Sequence, residues 1–202
     1  MIKLYTNTLS TFGRRVRIAL LEKAIPHELV SLDMAGGEHK GAAFRALNPY
    51  GRVPTLVEDH FALYESNSIL MYLEQTRPKP ALLPADARQR ALVDMHMRLC
   101  DAQLGRYAGV ILFPKRFLPR ERWDAAAMAA ARAEIEKHLA ILTAQLTGRQ
   151  YLVGDEFTLA DLDYIPFVHF FGLMEIAPSP PVAAWAARIL DRASVRQTVP
   201  ER

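Results

Sequence analysis

The sequence predicts two domains of different class, an α/β domain followed by an all-α domain. Three observations carry this. Short strand-like runs alternate with helical ones over residues 1–76, prolines interrupt residues 77–85, and apolar residues recur at helical spacing over residues 86–202. A length of 202 residues accommodates two small domains, and with 50% hydrophobic residues each can bury a core.

Ile2 to Tyr5 reads as a strand that ends where the chain turns polar at Thr6-Asn7-Thr8. From Arg14 to Lys23, the residues Val16, Ile18, Ala19, Leu20 and Leu21 describe a helix. His27 to Leu32 alternates as a second strand. Val53 to Val57 and His60 to Tyr64 flank Glu58-Asp59 as a hairpin, and Ser66 to Gln75 reads as a helix. This order is the thioredoxin-like arrangement, one sheet covered by helices. Pro78, Pro80 and Pro84 then forbid regular structure and mark a linker.

The second domain reads as a helical bundle. Leu92, Met95 and Leu99 predict a core stripe on a helix that Pro114 stops. Ile135, Leu139, Leu142 and Leu146 form the next stripe, closed by Gly148 as a C-terminal cap. Val182 to Leu190 is a further short helix. Thr158-Leu159-Ala160-Asp161 has capping-box spacing, with Phe157 and Leu162 at the positions of a hydrophobic staple. That motif is a folding device without a catalytic role. Pro166 predicts a kink beyond it.

A net charge of +3 is only mildly basic and suits an anionic small substrate. Arg14, Arg15 and Arg17 cluster, as do Lys115, Arg116, Arg120 and Arg122. Neither cluster has the interleaved aromatics of a single-strand binder, so both read as solvated faces and no nucleic-acid partner is expected. Cys100 is the one cysteine, which excludes an intramolecular disulfide and points to a reducing compartment. His96 lies four residues before it, but no third ligand follows at suitable spacing, so a structural cysteine and no metal are expected. Residues 1–5 turn polar at Thr6, unlike a signal peptide, and the apolar run Tyr164–Ile176 is too short for a bilayer. A soluble cytoplasmic protein without membrane partners is expected.

The run from His39 to Ser66 holds what a short, charged, extended peptide requires. His39 and Lys40 can neutralise a carboxylate. A cis bond at Val53-Pro54 would present the Val53 N–H and C=O for strand-like pairing. Glu65 can take an amine, and Ser66 at a helix N-terminus can take a second carboxylate. One amine, two carboxylates and a central peptide unit describe glutathione.

With these residues the sequence resembles the glutathione S-transferase family, closest to its serine-type theta and phi classes. Three blocks carry the likeness across nearly the whole chain: Leu4-Tyr5 with Leu9-Ser10 and Arg15-Val16; Gly37-Glu38-His39-Lys40 through Glu65-Ser66; and Phe157 to Leu162 with Pro166. The resemblance implies glutathione as co-substrate, no metal, a homodimer and a small hydrophobic electrophile as second substrate. It implies that Ser10 donates a hydrogen bond to the glutathione sulfur. Thr11 offers the same chemistry one residue on, and Tyr5 falls near the phenol of tyrosine-type transferases. Absence of Cys-x-x-Cys, with Ser10 where a redox enzyme keeps cysteine, argues against exchange through a protein thiol.

Arg52 joins His39, Lys40, Val53, Pro54, Glu65 and Ser66 as an expected glutathione contact. Asn67 stands where the phi-like pattern has Arg, a departure that bears on class. Asp101 corresponds to a helical acid that some classes direct at the partner subunit's glutathione amine. Phe12, Tyr107, Ile111, Phe113 and Phe117 are candidates for the electrophile pocket. A glutathione-dependent peroxidase side activity would use the same thiolate. The alternative function is a non-catalytic glutathione-transferase-like binding or assembly protein, and the intact site residues favour the enzyme.

Overall fold

In a computed structural model that describes residues 1–200, the chain forms two compact units. The first spans Met1–Leu82 and also takes in the chain from Ala193 onward; the second spans Leu83–Arg192.

The first unit is built on a four-stranded sheet in the order β2-β1-β3-β4. Strand β1 (Ile2–Thr6) is central because Ile2, Leu4 and Thr6 alternate inward while Lys3 faces solvent. It pairs in parallel with β2 (His27–Ser31) and antiparallel with β3 (Thr55–Glu58), so Leu4 lies opposite both Leu29 and Leu56. Strand β4 (Phe61–Tyr64) completes the hairpin through a turn in which Asp59 has φ +54°. Helices α1 (Thr11–Glu22) and α3 (Ser66–Thr76) pack together and bury Val16, Ile18, Leu20, Ile69, Leu70 and Leu73. A short helix α2 (Ala42–Arg45), preceded by a 3-10 turn at Glu38–Lys40, fills the connection that the sequence left without structure.

Arg14 and Arg15, expected on a solvated face, are instead buried, at 1% and 0% exposure. The correction has a clear physical basis, since each guanidinium finds oxygen acceptors. Arg14 donates from Nε to Thr198 Oγ1 (3.3 Å) and from Nη2 to the Val195 carbonyl (3.2 Å). Ser194 adds a hydrogen bond to Glu22, and α10 (Ala193–Arg196) packs on α1. These contacts explain why the last described residues join the first unit, although the sequence assigned residues 86–202 to the second.

Lys23, just past α1, is buried against Glu74 of α3 at 2.7 Å and donates to the Pro80 carbonyl at 2.7 Å. The Leu82 N–H donates to the Glu74 carboxylate. A buried ion pair thus pins the proline-rich segment, whose Lys79-Pro80 bond is cis, to the helices before it.

In the second unit α4 (Ala87–Leu99) continues through a π-helical segment, Cys100–Gly105, into α5 (Arg106–Phe117). The core face is Val93, His96, Met97 and Cys100, not the expected stripe; Leu92 and Met95 are exposed. Pro114 sits inside α5, which runs three residues past it. A proline late in a helix lacks only one backbone donor, and the turn continues. Cys100 donates to the Asp163 carbonyl at 3.4 Å. In the second basic cluster Lys115 pairs with Glu175 and Arg116 lies over the Phe117 and Phe170 rings, so these two cations are engaged within the fold and not on a plain solvated face.

Helix α6 (Ala125–Leu146) buries Ile135, Leu139, Leu142 and Leu146 as predicted, and Gly148 follows with φ +75°. Helix α7 (Leu159–Val168) begins with the predicted capping box. The fully buried Asp161 carboxylate also accepts from Leu152 N at 3.0 Å and from Trp185 Nε1 of α9 (Pro180–Leu190) at 2.9 Å, so one side chain joins α7, a loop and α9. Burial pushes its pKa up, and these donors oppose that rise. Helices α8 (Phe171–Met174) and α9 (Pro180–Leu190) close the unit. Among the described residues no helix is long and apolar enough to cross a membrane.

Lys23→Met should lower the unfolding free energy by about 3–5 kcal/mol, because the Glu74 carboxylate stays buried without its cation. Adding Glu74→Leu should recover most of that loss, as urea denaturation of both variants will show. A pH dependence follows from His138, whose Nε2 lies 2.9 Å from the Tyr164 hydroxyl and whose pKa burial lowers from 6.5 to about 4. The unfolded chain takes up that proton first, so stability is full above pH about 6.5 and falls as pH drops toward 4. At roughly 1.4 kcal/mol per pKa unit the loss by pH 4 is of order 3 kcal/mol. Denaturation midpoints of His138→Gln across this range should show a flatter profile than wild type.

Candidate active site

The loop between β1 and α1 is shaped by Asn7. Its Oδ1 accepts from Leu9 N (2.9 Å), its Nδ2 donates to the Leu32 carbonyl (3.2 Å), and its own carbonyl accepts from Ser10 N (3.0 Å). Ser10 is thereby placed as the N-cap of α1, its Oγ accepting from Gly13 N at 3.0 Å. Gly13 is required there, since a Cβ would lie 2.0 Å from Thr6 Oγ1; only glycine lets the first turn of α1 rest on the end of β1. No acidic residue occupies that first turn, so its positive end is free of an internal counter-charge. Thr11 is the first helical residue, half-buried. Tyr5 sits on β1 with its ring against Phe44 (centroids 6.0 Å apart).

His39 and Lys40 lie on the 3-10 turn after Gly37, which has φ +80°. Asn48, buried in the following loop, donates from Nδ2 to the Arg52 carbonyl (2.7 Å) and accepts from Tyr50 N (3.0 Å). Its amide fixes the chain ahead of the Val53-Pro54 bond, which is cis. Gly51 has φ +59°, and a Cβ on it would meet the His39 carbonyl at 2.7 Å, so glycine permits the two loops to touch. Together they form a cavity of about 380 Å³ lined by Met34, His39, Lys40, Arg45, Tyr50, Gly51, Arg52 and Val53. The His39 Nδ1 atom is buried there and has no hydrogen-bond partner. Pro54 is buried and does not line the cavity.

Glu65 caps α3 with φ +72°, a conformation that costs a non-glycine residue of order 1–3 kcal/mol and concentrates at ligand sites. Ser66, the first residue of α3, is buried and accepts from Arg15 Nη1 at 3.3 Å. The first turn of α3 also lacks an acid. Glu65 and Ser66 are outside the cavity lining, but Arg15 joins their helix to the one that Ser10 caps.

Among the electrophile candidates, Ile111 is fully buried in the second unit and belongs to its core, because its face of α5 packs inward. Phe113 and Phe117 are exposed and stack on each other, with centroids 5.6 Å apart. Tyr107 is half-buried, with Arg106 over its ring; Phe12 is exposed, with Arg15 4.9 Å from its ring centroid. Asp101 is half-buried in the π-helical segment. A second, open depression of about 750 Å³ lies by Glu58, Phe61, Tyr72 and Arg77. It holds no predicted site residue, and its Glu58 carboxylate is already bonded by Tyr72 and Arg77, which hold its pKa down.

Sequence reading missed the supporting residues Asn7, Asn48 and Arg15 and the lining residues Arg45 and Tyr50. Asn48-Pro49 is a turn signal, so one of the supports had a local trace. Arg15 had none, because nothing in its neighbours reveals its burial.

Both halves of the chain match known proteins. A family model described as "Glutathione S-transferase, N-terminal domain" matches residues 4–81, and "Glutathione S-transferase, C-terminal domain" matches residues 125–188. Glutathione S-transferase PARB of Nicotiana tabacum is 32% identical over 199 residues, 95% of this chain and 93% of its own. Maleylacetoacetate isomerase of Rattus norvegicus is 34% identical over 168 residues, 82% of this chain and 76% of its own. Among solved structures, glutathione transferase F2 of Populus trichocarpa gives a TM-score of 0.91 at 28% identity, covering 98% of this chain and 97% of its own. The theta class glutathione S-transferase of Xanthomonas axonopodis pv. citri, solved with glutathione bound, gives 0.91 at 28% identity, covering 100% and 98%. On these matches over both units, and on the thioredoxin-like sheet with its helical partner domain, the chain belongs to the glutathione S-transferase family.

Proposed function

We propose that this transferase binds glutathione on its first unit, stabilises the glutathione thiolate with Ser10, and adds it to a small hydrophobic electrophile. The observation that carries the reading is Ser10 at the N-terminus of α1. Its Oγ lone pair already accepts from Gly13 N, so its own proton is available to a ligand sulfur. His39, Lys40 and Arg52 then face the glycine carboxylate, Val53 pairs with the cysteinyl backbone, and Glu65 takes the amine. Ser66 and the N-terminus of α3 take the γ-glutamyl carboxylate. The glutathione-bound Xanthomonas relative supports the choice of ligand.

The energetics suffice without a general base. A free thiol has a pKa of about 8.5, and only its thiolate is the nucleophile. Lowering that value by about two units requires roughly 2.7 kcal/mol of preferential thiolate stabilisation. A hydrogen bond to a charged group gives roughly 1.5–3 kcal/mol, and a helix N-terminus about 0.3–1 kcal/mol more. The thiol proton leaves to solvent. The sulfur lone pair then forms a C–S bond at the electrophilic carbon, and the displaced pair departs with a leaving group or takes up a proton.

Ser10→Ala should therefore raise the thiolate pKa of bound glutathione by about one to two units. Affinity should change little, since the ligand's ends are held elsewhere. Turnover near neutral pH should drop by about ten- to a hundredfold and partly recover in alkaline buffer. Thiolate absorbance titrated with glutathione present measures this directly, with Thr11→Ala as comparison. An unchanged pKa and rate in Ser10→Ala would refute the role, and a matching loss in Thr11→Ala would move it one residue along.

The same reading includes a homodimer built from the helices spanning residues 66–75 and 92–112. Leu92 and Met95, exposed on α4, supply apolar surface for it. Sedimentation at micromolar concentration should give twice the chain mass; a 22.7 kDa species alone would sink the dimer.

A further inference from the structure

We infer that the cavity beside Val53 accepts a γ-glutamylcysteinyl peptide whose third residue bears a second carboxylate, and that Arg45 selects for it. This deepens the reading above and rests on it. Glutathione would place a single carboxylate in this cavity, at its glycine end. Lys40, Arg45 and Arg52 line the cavity with three full positive charges, and His39 lies beside them. None of these four makes an ion pair with an acid among the described residues. The nearby acids Asp33 and Glu38 are committed to their own loop: Asp33 Oδ1 accepts from Gly36 N, and Glu38 Oε2 accepts from Asp33 N, each at 2.8 Å. Three lining cations against one carboxylate leave the lining itself with net positive charge, and a second carboxylate meets a cation that has no ion-pair partner among the described residues.

The space is also larger than a glycine end requires. About 380 Å³ falls within the range of whole small-molecule sites, roughly 300–1,000 Å³. Gly51 keeps the floor of the cavity open. The Cβ position it leaves vacant lies 3.7 Å from Arg45 Nε and 2.7 Å from the His39 carbonyl, so Arg45 and the His39 turn converge on one spot. Reaching Arg45 calls for a side chain on the third residue. A glutamate there supplies a carboxylate on a two-methylene arm, and a guanidinium can take it through two parallel hydrogen bonds.

The test uses inert S-methyl derivatives, so that binding is read apart from chemistry. S-methylglutathione and S-methyl-γ-glutamyl-cysteinyl-glutamate are titrated calorimetrically into wild type, Arg45→Ala and Arg45→Lys. In low salt the glutamate peptide should bind wild type at least about threefold more tightly. That ratio should fall to about one in Arg45→Ala, survive in part in Arg45→Lys, and shrink in wild type as salt is raised to about 0.3 M. Equal or weaker binding of the glutamate peptide to wild type would overturn the inference, as would a preference that persists in Arg45→Ala. If S-methylglutathione itself fails to bind, the glutathione reading fails and takes this inference with it. If it binds and the ratio is one, only the second-carboxylate inference fails.

Discussion

Helix α1 takes three cationic side chains out of water, and satisfying each of them dictates where the rest of the first unit goes. Arg14 recruits the chain beyond Ala193 through Thr198 and the Val195 carbonyl. Arg15 reaches Ser66 and so fixes the start of α3. Lys23, at the end of the helix, gathers Glu74 and the Pro80 carbonyl and brings the proline-rich segment down onto α1 and α3. An uncompensated buried charge is costly enough that none of these partners is free to drift. Even so, burial lowers the Arg14 pKa only to about 10, so its guanidinium stays charged at neutral pH.

Under the proposed function, that arrangement lets one helix serve two ends of an anionic ligand. Its N-terminus carries Ser10 and no acidic side chain, while Arg15, one turn further on, bonds the hydroxyl of Ser66 at the start of α3, whose first turn beyond the Glu65 cap also lacks an acid. The remaining pole comes from loops, and loops need internal restraint. Asn48 supplies it by bonding to the backbone at Tyr50 and Arg52, and Gly51 supplies it by admitting the His39 carbonyl at a distance no Cβ allows. Charge therefore gathers at the site by backbone geometry and helix polarity as much as by side chains.

Much of this was legible in the sequence where a local rule decides the outcome. The strands, the hairpin, helices α1, α3 and α6, and the Thr158–Asp161 capping box all follow from periodicity, turn chemistry and capping. The candidate glutathione contacts can be named from the sequence because they cluster at segment ends, and His39, Lys40, Arg52 and Val53 come together at one cavity. What escaped is non-local. The exposure of Leu92 and Met95 depends on which face of α4 finds a partner, and Val93, His96 and Met97 share that helix with nearly the same spacing. Pro114 was read as a stop because a proline forbids a hydrogen bond, yet near a helix end that loss is small. The arginines of α1 were read as solvated because charge is normally outside; their acceptors lie about 50 and 180 residues away in sequence.

Capping and catalysis are usually weighed as rival readings of a serine between a strand and a helix, but under the proposed function the two are one arrangement. A serine hydroxyl has two lone pairs and one proton. The cap engages a lone pair with Gly13 N, which fixes where the oxygen sits and does not use the proton. A hydroxyl held this way costs little further entropy when it donates to a sulfur, and the helix that holds it adds its positive end to the same target. An unrestrained serine at the same place would have to order itself on each binding event. The cap is thus the means by which a weak neutral donor becomes a preorganised one.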